Sequence, residues 1–185
     1  MLSCLDCFTK VCVTGLQQQE LVDRENPEFF CEGTKCSKYS PGLVKDDEEI
    51  IFLLIDPIHY DVVTKTVLPT AFDQVILRDL SVIRRSHASV QDLEVTCAEL
   101  KSRGNVARPR DVTEACVATV AELRNATIDG SRTFAVYDTA LPTKQHHASI
   151  FTRSIWLQDR RARRRVRQRL YEVMTQQVIP LHTLA

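Results

Sequence analysis

The chain has 185 residues, with 24 Lys+Arg against 24 Asp+Glu, 44% hydrophobic and 26% charged residues. These values suit one globular domain, because domains run about 100–200 residues and a chain of this size buries a core without staples. They exclude global disorder. The longest apolar run, Ile50 to Ile55, is about a third of the roughly 20 residues a membrane helix needs.

The zero net charge hides a segregation. Residues 1–100 hold 17 acidic and 9 basic residues, net −8, and residues 101–185 hold 7 and 15, net +8. Either the basic back meets an anionic partner, or the two ends neutralise each other within the fold or across a dimer. A homo-oligomer or a larger complex fits the second case. Met1–Thr14 has no basic start and no uncharged apolar stretch, so the expected location is cytoplasmic, with no membrane role. The seven cysteines are then expected as reduced thiols or metal ligands, not disulfides.

Three zones follow: 1–49, cysteine-rich; 50–152, the α+β core; and 153–185, an arginine-rich helix and tail. In the first zone Cys4-x-x-Cys7 and Cys31-x4-Cys36 form two ligand pairs 23 residues apart. Short Cys spacings let one turn supply two of the four soft ligands of a tetrahedral zinc, so Cys4, Cys7, Cys31 and Cys36 are the candidate set for a structural zinc. Cys12 is a reserve ligand. An iron–sulfur cluster and unliganded thiols are the alternatives.

In the core, Ile50–Ile55 reads as a strand buried on both faces. Asp61–Leu68, rich in β-branched residues, predicts a second strand, and Val75–Ile83 is ambiguous. Ser89, with Asp92 three residues on, caps a helix carrying Val90, Leu93, Cys97 and Leu100 and closed by Gly104. Val112–Asn125 scores as a helix, with a strand plus one helical turn as the rival. Arg132–Thr139 and Ala148–Thr152 predict strands that could pair as a hairpin. Cys97 and Cys116 fall on core faces as packing residues.

The elements Pro57-x-His59-Tyr60-Asp61, Val67-Leu68-Pro69-Thr70-Ala71-Phe72 and Leu80-Ser81-Val82, with Ala135-Val136-Tyr137-Asp138 and His147-Ala148-Ser149-Ile150, resemble a pattern in small uncharacterised bacterial proteins. The likeness covers roughly half of the chain and implies no activity.

Two constellations could carry chemistry. His59 and Asp61 would share a face in extended chain and could form a base–orienter couple or hold a metal. His87-Ala88-Ser89 and His147-Ala148-Ser149 resemble the two-histidine phosphoesterases, whose repeated His-x-Ser or His-x-Thr lies on strands. That likeness implies paired acid and base histidines with phosphate-binding hydroxyls. The departure is Ser89, which reads as a helix cap. His146 and His182 have less to recommend them, because tandem histidines on a strand point to opposite faces.

From Arg153 to Met174 the chain has neither Gly nor Pro, and Ile155, Ala162, Val166, Leu170 and Val173 form one helical stripe. The other surface carries Arg160, Arg161, Arg163, Arg164, Arg165, Arg167 and Arg169. Guanidinium groups bind phosphates and carboxylates bidentately. The resulting expectation is an α+β domain with a small mixed or antiparallel sheet, a cysteine knuckle and a C-terminal amphipathic helix. Its first functional reading is a non-enzymatic adaptor whose arginine helix binds an acidic protein or a nucleic-acid backbone. The second is a phosphodiester hydrolase using His59, Asp61, His87 and His147.

Overall fold

A computed structural model describes residues 3–10 and 16–184; Cys12 lies outside the described residues. The front folds as α1 (Cys4–Lys10), α2 (Leu16–Glu25) and a 3-10 segment, Pro27–Gly33. The apolar run becomes β1 (Glu49–Asp56). Asp61–Leu68 does not form one strand. Instead β2 (Tyr60–Asp61) and β3 (Thr66–Val67) pair as a tiny hairpin. Asp61 Oδ1 accepts from the N–H groups of Val63 and Thr64 at 2.9 and 3.2 Å and so turns the chain.

A 3-10 segment, Pro69–Ile76, leads into β4 (Leu80–Arg84). Ser89 and Asp92 make the predicted capping box at the head of α3 (Val90–Ser102). Over Val112–Asn125 the rival reading holds. β5 (Asp111–Thr119) ends in one helical turn, α4 (Val120–Arg124), with its own capping box from Thr119 and Glu122. The β-branched Val112, Thr113, Val117 and Thr119 favour the extended chain.

A second small hairpin, β6 (Thr127–Ile128) with β7 (Ser131–Arg132), precedes β8 (Phe134–Tyr137). β8 pairs with β9 (His147–Thr152) as the expected antiparallel hairpin. The basic helix α5 (Arg160–Met174) starts later than predicted, at Asp159, whose Oδ1 accepts from the Ala162 N–H at 2.8 Å. Ser154–Leu157 is a 3-10 turn, which puts Ile155 in solvent. β10 (Val178–Pro180) follows.

One six-stranded sheet runs β10-β5-β1-β4-β9-β8, with every neighbouring pair antiparallel. β1 is buried on both faces, which explains its unbroken apolar run. Ile50, Phe52 and Leu54 join the larger core beneath α5, α4 and Pro69–Ile76, where Val166, Leu170, Val173 and Met174 of α5 are buried. Ile51, Leu53 and Ile55 face the other way, against Leu93 and Cys97 of α3. On that second face, at the β8–β9 end, the cysteine zone packs on Ala135, Tyr137 and Phe151. The second face is thus covered from both ends and left open between them, over β4. Among the described residues no helix is long and apolar enough to cross a membrane.

Cys4, Cys31 and Cys36 gather in one cluster, and not all of them are thiols. Cys4 and Cys31 are joined by a disulfide, Cys36 is a buried thiol in the same cluster, and Cys7 is also a buried thiol. Folding brings the first two to a Cα separation of 5.5 Å, within bridging range, so the expectation of reduced thiols is corrected at this pair. Burial pushes the Cys36 thiol up to about 12, with the Asp138 carboxylate adding to it. Among the described residues no group of three or more His, Cys, Asp or Glu is arranged to hold a metal ion.

Candidate functional site

β1 and β4 part company early. They pair only at Ile50↔Arg84 and Ile51↔Ile83, although β1 continues to Asp56 and β4 begins at Leu80. The splayed strands open a cleft of about 460 Å³ on the uncovered part of the second face. That volume is in the range of small-molecule sites, about 300–1,000 Å³. Its floor is apolar, made by Ile51, Leu53, Ile55 and Ile83. Its rim is cationic, with Arg78 ahead of β4, Arg103 at the end of α3, Arg110 ahead of β5 and Lys144 between β8 and β9.

Local structure places these groups. Thr96, Glu99, Leu100 and Arg103 lie on one side of α3 at helical spacing and all line the cleft. α3 ends tightly against the segment that carries Arg110. A Cβ on Gly104 would lie 2.9 Å from the Arg110 nitrogen and 3.1 Å from the Arg108 carbonyl, so only glycine permits the approach. Lys144 is ion-paired to Glu99. Arg78, Arg103 and Arg110 make no ion pair among the described residues. The Thr96 hydroxyl is buried and makes no hydrogen bond among them.

Three histidines line the cleft, and each does something different. His59 plugs the gap between the strands. Its Nδ1 accepts from the Ile55 N–H at 3.4 Å, and the ring packs 5.3 Å from the Phe52 ring. It substitutes for the missing strand neighbour, and burial lowers its pKa. His146 precedes β9 instead of lying on it, so both tandem histidines reach the cleft, against the alternation expected of a strand. Burial lowers the His146 pKa, opposed by Asp92.

His147 heads a chain of hydrogen bonds. Ser149 Oγ donates to Asp79 Oδ2 at 2.6 Å. With that hydrogen committed, Ser149 accepts from Thr139 Oγ1 at 2.9 Å. Thr139 Oγ1 can then only accept, and it lies 2.9 Å from His147 Nδ1, with the Thr139 carbonyl at 3.1 Å. Nδ1 therefore carries the hydrogen, and Nε2 keeps its lone pair. Burial lowers the His147 pKa, partly offset by the hydrogen bond to the Thr139 backbone. The ring is thus a neutral base.

The four residues named for hydrolysis do not come together. His59 and His147 share this cleft. His87 lines a different one, where its Nε2 lies 4.0 Å from Glu48 Oε2 beside Arg84. Asp61 is spent on its own turn. Neither His-x-Ser hydroxyl is free for phosphate, because Ser89 caps α3 and Ser149 holds Asp79. Asp79 and Thr139 escape sequence reasoning, since Asp79 joins this chain through the packing of β4 against β9 and Thr139 through the connection from β8 to β9.

The arginine face of α5 divides in two. Arg165 pairs with Asp129, Arg167 with Asp73 and Arg169 with Glu172, while Arg163 donates to the Leu157 carbonyl at 2.6 Å. Arg160, Arg161 and Arg164 are exposed and make no ion pair among the described residues. The acidic front meets the basic back within the fold at Arg124–Asp46, Arg132–Glu32 and Lys144–Glu99 as well. In comparisons with protein-family models, curated proteins and solved structures, none matches the chain.

Proposed function

We propose that the protein binds a small organophosphate in the cleft between β1 and β4. The observation that carries this reading is the pairing of an apolar floor with three rim guanidiniums, Arg78, Arg103 and Arg110, that make no ion pair among the described residues. Guanidinium groups favour phosphate bidentately, and a water-poor apolar floor suits an aromatic or aliphatic substituent. The exposed side chains of Ile58 and Leu141 extend that apolar surface to the mouth.

Phenylphosphonate, which combines both features and is not hydrolysed, is the probe. Calorimetric titration of the full chain is expected to give saturable binding at one site. Arg103→Ala and Arg110→Ala should each weaken it about 10–100-fold, the worth of a hydrogen bond to a charged group. Absence of a binding heat, or variants that bind as wild type does, rejects the reading.

A second reading keeps the adaptor role for α5, supported by the three spare arginines. Contact of Arg160, Arg161 and Arg164 with a nucleic-acid backbone predicts that log K falls with log salt with a slope of about −2.7, near −0.9 per phosphate. Filter binding of duplex DNA over a salt series measures it. Failure to retain DNA at low salt directs the reading to an acidic protein surface.

A further inference from the structure

The cleft holds more than a binding surface requires. A ring whose tautomer is dictated by three partners in series, Thr139, Ser149 and Asp79, presents an unprotonated nitrogen beside a guanidinium rim. Among the described residues every hydrogen bond of the His147 ring falls on Nδ1, and Nε2 is left uncommitted. The buried Thr96 hydroxyl, also without a hydrogen bond among the described residues, lines the same cleft.

We propose that the cleft hydrolyses phosphodiesters with an apolar substituent, with His147 as the general base. This rests on the organophosphate-binding reading above. His147 Nε2 takes one proton from a water molecule, and the water oxygen forms the new bond to phosphorus. The bond from phosphorus to the departing ester oxygen breaks with its electron pair. That oxygen takes a proton from the Lys144 ammonium, held in place by Glu99. The products are a phosphomonoester and an alcohol, and the proton on His147 returns to Lys144 through solvent. The arginines of the rim meet the charge on the phosphoryl oxygens. Thr139, Ser149 and Asp79 are positioning residues. They hold the ring with Nε2 outward and stabilise the imidazolium that forms when it takes the proton.

The probe for turnover is bis(p-nitrophenyl) phosphate with the full chain, read as p-nitrophenolate release across a pH series. His147→Asn retains a donor near the Nδ1 position and removes the base. It is expected to lower kcat about 10²–10⁴-fold while phenylphosphonate binding is unchanged. Thr139→Val removes the hydroxyl acceptor behind Nδ1 and its link to Ser149 and Asp79, and leaves the backbone carbonyl of that position in place. It should lower kcat on the order of tenfold and move the acidic limb of the pH–rate profile, which a merely structural role would not do. The charged and titratable groups facing the ring are Asp79 beside β4 and His146 and Lys144 from the β8–β9 connection. Thr139→Val leaves all three in place. Nitrogen NMR of the imidazole ring should show Nδ1 protonated and Nε2 bare.

A protein that binds phenylphosphonate yet releases no p-nitrophenolate overturns the catalytic proposal and leaves the binding reading standing. So does a His147→Asn variant with unchanged kcat, or a spectrum with the hydrogen on Nε2. If phenylphosphonate fails to bind, the underlying reading falls and the catalytic proposal falls with it.

Discussion

Replacing Arg84 with methionine is expected to cost about 3–5 kcal/mol of folding stability, the range for removing one partner of a buried ion pair. Arg84 is fully buried at the end of β4. Its Nε and Nη2 donate to the two carboxylate oxygens of Glu48, each at 2.8 Å. Nη1 and Nη2 also donate to the carbonyls of Gly42 and Leu43, at 2.7 and 3.0 Å. Asp138, itself buried, lies 3.8 Å from Nη1. One side chain therefore ties the 42–48 loop to the sheet and satisfies two carbonyls and a carboxylate. Burial pushes Glu48 up, but the Arg84 bonds and the Lys45 N–H hold its carboxyl below the ordinary range. Methionine fills the volume and leaves those acceptors unsatisfied, so lost pairing and not a cavity dominates the cost.

Urea unfolding followed by circular dichroism reads the loss directly, and the melting point should drop by roughly 6–20 °C for a chain of this size. Adding Glu48→Gln to Arg84→Met should recover part of the stability, because an uncharged amide is cheaper to bury than an unpaired carboxylate. A loss below about 1 kcal/mol would mean that water reaches this network.

Arg84 also shows what a sequence conceals. Arg84-Arg85 looks like a solvated strand end, yet one guanidinium is sealed inside and the other pairs with Glu49 at the surface. Only the return of the 42–48 loop distinguishes them, and no local pattern encodes that return. Signals confined to a few neighbours were legible. The apolar run gave β1, the Ser89–Asp92 box gave the start of α3, and the stripe gave the buried side of α5. Over Asp61–Leu68 β-propensity misled, because a single side chain, Asp61, caps a turn in the middle of the run.

The site was legible only in fragments. His59 and His147 stand out as residue types, but their roles are set by partners far along the chain. Thr139, eight residues upstream, and Asp79, just ahead of β4, fix the His147 tautomer. The splay of β1 from β4 has no sequence signature, since β1 remains apolar through it and β4 keeps the alternation of an ordinary strand. The cationic rim gathers from four separate segments. Charge segregation along the chain pointed to an anionic partner at α5, yet much of that charge is consumed in pairs such as Arg165–Asp129 and Arg167–Asp73.

The burial that makes His147 a base also makes the fold sensitive to acid. Burial lowers the pKa of His59, His146 and His147 in the folded protein, and burial with Arg84 lowers that of His87. In the unfolded chain these rings take up protons near the ordinary value of about 6.5. Between the folded and unfolded values the unfolded state holds more protons, so stability rises with pH. The contribution is complete above about 6.5 and is lost as pH falls below it. Each proton taken up on unfolding contributes at most about 1.4 kcal/mol per pH unit, and the four histidines act in the same direction. The carboxylates of Asp92 and Asp111, held low first by their Ser89 and Lys101 bonds, act in a separate, more acidic window. Asp138, pushed up by burial, works in the opposite sense and blunts the fall. Urea unfolding between about pH 7.5 and 5.5 should therefore show a steep loss, and His147→Asn should remove one proton from the uptake while leaving the rest. A flat stability across that interval would mean that the rings titrate alike in the folded and unfolded chain, so that burial does not hold His147 unprotonated in the cleft.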